Sequence, residues 1–346
     1  MINAEPTVSV IIPAYNCDRY IVQTVESVLL QENCDYEIII IDDGSTDSTE
    51  AVLEPYRDRL RYVKQENQGV AAARNHGIAI AKADFIAFLD ADDYFLPEKL
   101  ARQADILARN PDLGIVHSGW QRVDHQGNKL LDVRPWLQIP ELNLATWLRW
   151  KPVLPSAMMF RREWLQYVNG FDARFPPAED TDLVLKLALK GCRTAWLRQI
   201  TVCYRQHETS AMHKGTPQAR SLMAVTDNFF NQPDLPFEIR LMEQSVRYGT
   251  LVWIAWYLDY TGHRAEMIEY LQQAWKYRTH AGMEALVSWI ESFAEFSRNW
   301  GVKFDVSSLT SSPEWQELIQ WLIQATNPMD RIIIRDSVPN QGLDIL

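Results

Sequence analysis

Residues Phe85 to Pro97 read FIAFLDADDYFLP. An apolar run suited to a strand buried on both faces ends abruptly in three carboxylates, Asp90, Asp92 and Asp93, and then a proline. Asp90 and Asp92 stand two residues apart, so an extended or turning backbone can present both on one side. Like charges crowded in a low dielectric repel strongly unless a proton or a divalent cation intervenes. A hard cation that prefers oxygen, Mn²⁺ or Mg²⁺, meets that need and takes phosphate oxygens as its remaining ligands. Asp93 either joins this cluster or simply starts the next turn.

Upstream of this stretch, strand-like and helix-like pieces alternate. VSVIIPAY (Val8 to Tyr15) and EIIIIDD (Glu37 to Asp43) read as buried strands. Ile21, Val25, Val28 and Leu29 recur at helical spacing between them. Asp47, with Glu50 three residues on, predicts a helix start and a helix to about Leu60; the short strand RYVKQE follows. VAAARNHGIAIAK predicts a helix after Gly69, and Pro97 is placed in the first turn of a helix carrying Leu100, Ala104 and Leu107. Such alternation predicts βαβ units on a parallel sheet. In an open sheet of that kind ligands collect beyond the carboxyl ends of the strands. PAYN, DDGS and DADD therefore point to one crevice.

Farther on, GIVHSGW, KLLDV and SAMMF look like shorter strands, and AEDTDLVLKLALKG predicts a helix stopped by Gly191 with acidic residues in its first turn. Beyond about Gly215 strand signals fade. Segments around 240–260, 264–278, 282–297 and 313–325 look helical, and seven of the chain's 13 tryptophans fall there, which predicts helices packed by large aromatics. WYLDYTGHRAEMIEYLQQAW has the look of one helical hairpin turning at Gly262.

At 346 residues and 47 % hydrophobic, the chain can bury a large core. A net charge of −11 argues against nucleic acid as a partner, so bound phosphate is expected to arrive with a cation. The four cysteines lack CxxC pairing and the start MINAEPTVSV lacks the layout of a signal peptide, so the expectation is a cytoplasmic protein. The apolar run Leu251 to Leu258 falls far short of the roughly 20 residues that span a bilayer, which leaves only peripheral contact at a membrane surface.

VSVIIPAYN, IIIIDDGSTDST and NQGVAAARNHGIAIAKADFIAFLDADD, in this order and spacing, resemble family 2 of the inverting glycosyltransferases, which have the GT-A fold. The resemblance covers Val8 to about Leu107 and returns in Gly170 to His207. It implies an α/β fold, a Rossmann-like αβα sandwich with a mostly parallel sheet, plus a helical C-terminal region. The expected domains are a GT-A domain over 1–214, with a nucleotide-binding half at about 7–110 and an acceptor half at about 111–214, and a helical, Trp-rich region over 215–346. The implied activity is metal-dependent transfer of a sugar, with inversion, from a nucleoside-diphosphate sugar, most commonly a UDP-sugar, to a hydroxyl of a glycan, lipid-linked or small-molecule acceptor.

Carried over by position, the resemblance places the nucleotide base at Pro13, Ala14 and Tyr15, whose ring either stacks on the base or packs in the core. Asp43 would accept a hydrogen bond from the base, while Asp42 suits the turn before Gly44. Arg74 would contact the nucleotide or its phosphates, or else brace Asp42 and Asp43. Asp90 would hold the ribose or the metal and Asp92 would bind the metal directly. GFDARFPPAEDTDL matches the family's Glu-Asp pair, with Asp180 as the base that deprotonates the acceptor and Glu179 orienting the acceptor or the loop. A helix N-terminus favours an ionised carboxylate, so Asp180 is expected to have a lowered pKa. In VCYRQHETS, His207 is a candidate third metal ligand and Arg205 or Ser210 a candidate phosphate contact; SAMHKGTPQ has the composition of a loop closing over a ligand.

Two departures bear on function. The Q-x-x-R-W motif of processive members is missing, since Gln121 and Arg122 in GWQRVD lack that setting, which argues against a synthase that extrudes its product. No glycine-rich phosphate loop follows the first strand, which argues against a nucleotidyltransferase. The alternative is a catalytically inactive sugar-nucleotide-binding module whose helical region docks a partner. Nucleotide binding that ignores metal would favour it.

Overall fold

The computed structural model describes residues 6–208, 210, 215–278 and 282–325. It separates into two compact units, Met1–Ser210 and Ala211–Leu346.

In the first unit the described residues form a nine-stranded sheet in the order β3-β2-β1-β4-β8-β6-β9-β5, with β7 paired to β6. The strands are β1 (Val8–Ala14), β2 (Tyr36–Asp42), β3 (Arg61–Lys64), β4 (Phe85–Phe88), β5 (Tyr94–Phe95), β6 (Leu113–Val123), β7 (Lys129–Val133), β8 (Met158–Arg161) and β9 (Arg193–Arg205). β3, β2, β1 and β4 run parallel, β8 is antiparallel to both β4 and β6, and β9 is parallel to β6. The helices are α1 (Ile21–Leu29), α2 (Thr49–Leu53), α3 (Val70–Ile80), α4 (Lys99–Arg109), α5 (Leu144–Trp150), α6 (Arg162–Tyr167) and α7 (Glu179–Leu189).

Sequence dictates this layer directly. Val8, Val10 and Ile12 on β1 and Ile38 to Ile41 on β2 are all buried, as strands covered on both faces require. Helix α3 lies close over β1 because Gly77 has no side chain, and a β-carbon there would come within 2.4 Å of Ile11 Cγ2. The helix predicted to reach Leu60 ends sooner: α2 stops at Leu53 and tightens into a 3₁₀ segment, Glu54–Arg59, where Pro55 has no N–H to continue the α-helical ladder. Pro97 lies outside α4, whose N-cap Glu98 has a left-handed φ of 65°.

The second unit is helical. It comprises α8 (Thr216–Phe230), α9 (Phe237–Arg240), α10 (Glu243–Tyr260), α11 (Arg264–Trp275), α12 (Gly282–Trp300), α13 (Val306–Thr310) and α14 (Pro313–Ala325). α10 and α11 form the hairpin that turns at Gly262, whose φ is +81°. Trp256, Trp289 and Trp315 are buried, and Trp256 Nε1 donates to Ser297 Oγ at 2.8 Å. Among the described residues no helix is long and apolar enough to cross a membrane.

Candidate active site

The loops after β1 and β2 are stitched together at the carboxyl edge of the sheet. Pro13 and Ala14 finish β1 with buried side chains, while Tyr15, the next residue, is 53 % exposed and so lies outside the core. Asn16 Oδ1 accepts from the Thr46 N–H at 2.8 Å, and the Asn16 N–H donates to Ser45 Oγ at 3.0 Å. Asp43 is buried and organises the segment before α3. Its Oδ1 accepts from Gln65 Nε2 and the Gln68 N–H at 2.8 and 2.9 Å, and its Oδ2 from the Gly69 N–H at 2.7 Å. Asp42 serves the turn, accepting from the Ser45 N–H at 2.7 Å and from the Tyr62 hydroxyl.

The acidic turn after β4 is held from three directions. Ser156 Oγ donates to Asp93 Oδ2 at 2.7 Å and accepts from the Asp90 N–H at 3.1 Å. Thr24 Oγ1 reaches the carbonyls of Ala91 and Asp93 at 2.8 and 2.7 Å. Arg205 donates from its N–H to Asp93 Oδ1 at 3.0 Å and from Nε to the Asp92 carbonyl at 2.9 Å. Its other nitrogens go to the His125 carbonyl and Gln23 Oε1, so the expected phosphate contact is a buried brace. Asp93 is fully buried; burial and then the charges of Asp92 and Asp90 push its carboxyl well above the usual range. Asp90 and Asp92 stay partly open, with side chains 28 % and 31 % exposed.

From the other side of the crevice come Glu179 and Asp180 in the first turn of α7. Arg74, buried on α3, donates through one terminal nitrogen to Asp90 Oδ1 and through the other to Glu179 Oε1, both at 2.7 Å. It pairs with neither Asp42 nor Asp43 among these bonds. Glu179 Oε2 is buried without a hydrogen-bond partner. Asp180 is half-buried, and its pKa moves opposite to the expectation from the helix terminus. Burial first and the Glu179 carboxylate second push it up to about 7, overriding the downward pull of Arg74 and of the Thr181 N–H at 2.6 Å.

His207 stands beside the acidic turn, with Nε2 2.8 Å from Asp92 Oδ2 and its ring stacked on Tyr20. Ser210 folds back onto His207, its Oγ accepting from the His207 N–H at 3.1 Å. Of the segment expected to close over a ligand, residues 211–214 lie outside the described residues. Among the described residues no group of three or more His, Cys, Asp or Glu side chains is arranged to cage a metal by itself. The donor set nonetheless fits a hard cation shared with a ligand: Mg²⁺-type sites use one or two carboxylates and complete their shell with phosphate oxygens. Asp90 and Asp92 offer open carboxylate oxygens on one turn, with the His207 imidazole alongside.

A model described as glycosyl transferase family 2 matches residues 9–168. A glycosyltransferase of Rickettsia typhi, described as uncharacterized, is 37 % identical over 234 residues, which are 66 % of this chain and 72 % of that protein. The chain belongs to glycosyl transferase family 2. Another family relative, chondroitin synthase of Escherichia coli, is 32 % identical over 189 residues; the match covers 54 % of this chain but only 27 % of the synthase's length. Two solved structures share the GT-A fold. S. aureus TarS in complex with UDP-GlcNAc superposes with a TM-score of 0.55 at 17 % identity, covering 86 % of this chain and 93 % of that one. A mannosyltransferase from Pyrobaculum calidifontis in complex with GDP-Man and Mn²⁺ gives 0.59 at 16 %, covering 96 % and 87 %.

Within this family 2 chain, sequence reading pointed to the carboxylates and missed what holds them. Ser156, Thr24 and Asn16 are common residue types in contacts reaching 30 to 69 positions along the chain. No local pattern marks such partners.

Proposed function

We propose that this glycosyltransferase moves one sugar from a nucleoside-diphosphate sugar, a UDP-sugar, to an acceptor hydroxyl with inversion and with Mn²⁺ or Mg²⁺. The observation that carries the reading is the Arg74 guanidinium, which bonds Asp90 at the end of the nucleotide-binding sheet and Glu179 beside Asp180. Donor-side and acceptor-side carboxylates thereby share one crevice.

In this reading the base of the nucleotide lies against Tyr15 above Pro13 and Ala14. Asp43 accepts three internal hydrogen bonds, and a carboxylate has about four lone-pair sites. The remaining site, on Oδ2, suits a base N–H. Asp90 directs its second oxygen to the ribose or the metal. Asp92, with Asp90 and His207, would hold the cation, which when bound neutralises the diphosphate as it leaves. Glu179 Oε2, buried and unpartnered, accepts a hydrogen bond from the acceptor and orients it.

Asp180 then takes the proton of the attacking hydroxyl. The oxygen bonds to the anomeric carbon on the face opposite the diphosphate, and the sugar–diphosphate bond breaks with its electrons leaving on phosphate. A base with a pKa of about 7 is well matched to such a proton at neutral pH. The test is Asp180→Asn. Transfer should fall roughly 10²- to 10⁴-fold while UDP still binds. A variant that transfers at the parental rate would remove Asp180 from the role.

A further inference from the structure

We infer that Arg74 is a positioning residue: it sets the acceptor-side base against the donor-side acidic turn through its bridge from Asp90 to Glu179, and it does not bind phosphate. This rests on the assignment of Asp180 as the base. Both terminal nitrogens of Arg74 bond carboxylates at 2.7 Å, its Nε is buried without a hydrogen-bond partner, and its side chain is only 5 % exposed, so little of the guanidinium is within reach of a diphosphate. A bidentate fork between two separate carboxylates fixes distance and orientation together, which a point charge cannot do.

The surroundings are built for the same purpose. Asn75, the next residue on α3, clamps the backbone of Phe171 from both sides: its Nδ2 donates to the Phe171 carbonyl and its Oδ1 accepts from the Phe171 N–H, each at 2.8 Å. The Arg74 guanidinium lies over the Phe171 ring at 5.1 Å, and that ring packs edge-on against Phe88 at the end of β4. Gly170 permits the clamp, since a β-carbon there would stand 2.2 Å from Asn75 Oδ1. Lys186 on α7 closes the loop, donating to the Gly170 carbonyl at 2.9 Å. Helix α3 therefore grips, through consecutive residues, the segment entering α7 and the first turn of α7 itself.

The energetics give Arg74 a distinctive mutational signature. Removing it leaves the buried Glu179 carboxylate with no partner on either oxygen, next to Asp180. Removing the Glu179 charge as well relieves that penalty. A phosphate ligand would behave otherwise, because its loss weakens the donor whatever Glu179 carries.

The experiment compares Arg74→Met, Arg74→Lys, Arg74→Met/Glu179→Gln and Asp180→Asn in steady-state transfer and in calorimetric titration with UDP and Mn²⁺. In Arg74→Met, kcat should fall roughly 100-fold, the scale of a misplaced catalytic group, while KM for the donor and the affinity for UDP stay within about threefold. Arg74→Lys should recover only part of kcat. The double variant should exceed Arg74→Met in thermal midpoint. UDP affinity lost in parallel with kcat, or a double variant no more thermostable than Arg74→Met, would overturn the assignment. If Arg74→Met fails to fold, the double variant and Arg74→Lys carry the same comparison. Failure of the base reading shows separately, as parental transfer by Asp180→Asn.

Discussion

Asp180 is a case where a sound local rule loses to its surroundings. A helix N-terminus lowers a carboxyl pKa, but the effect is worth about 0.3–1 kcal/mol at exposed sites, and here burial and the adjacent Glu179 carboxylate outweigh it. The Glu-Asp pair singled out Asp180 in the sequence; its proton affinity was not legible there, because that depends on what α7 packs against. The consequence is a pH profile. With Asp180 in the proposed role of base, transfer needs the deprotonated form, so kcat/KM should climb as pH rises through about 7 and level off above it. Glu179→Gln removes one upward cause and should move the midpoint to lower pH. A profile flat from pH 5 to 8 would count against both statements. By the same shift, the ligand-free protein should lose stability as pH rises from the ordinary carboxyl value of 3.8 to about 7, since the folded form keeps a proton that the unfolded chain has already released.

At the scale of elements, the turn Asp90 to Asp93 is rigid because three other elements bond to it. Ser156 satisfies the Asp90 N–H and Asp93 Oδ2, so Ser156→Ala leaves one buried acceptor and one donor unpaired. Each orphaned group costs about 1–3 kcal/mol. The expected result is metal-assisted UDP binding weakened roughly 10-fold in a chain that still melts cooperatively; unchanged affinity would show that the turn holds its shape without this brace. The sequence displayed the turn through its composition, an apolar run ending in carboxylates, whereas its supports are single Ser, Thr and Arg side chains from distant segments. Helix boundaries were likewise legible only in part. The helix expected to reach Leu60 stops at Leu53, ahead of Pro55, and α8, Thr216–Phe230, lay unmarked, its first residues inside a stretch that read as loop.

At the scale of the whole molecule, the alternation of buried strands with helices announced the nucleotide-binding layer because its strands, covered on both faces, are continuous apolar runs. The mixed strands β6 to β9 were less visible, since antiparallel and parallel neighbours there are chosen by long-range pairing. The tryptophans of the second unit were foreseen as packing residues, and Trp256, Trp289 and Trp315 are buried as such. What the assembled first unit provides is a crevice rich in carboxylates, Asp90, Asp92, Glu179 and Asp180, with Arg74 bridging two of them. In the proposed reading a diphosphate enters such a field together with a cation. The central claim is therefore tested most directly by titrating UDP into the protein with and without Mn²⁺, beside Asp92→Asn. Binding that needs Mn²⁺ and is lost in Asp92→Asn is predicted; equal affinity without metal, or in the variant, would contradict the account.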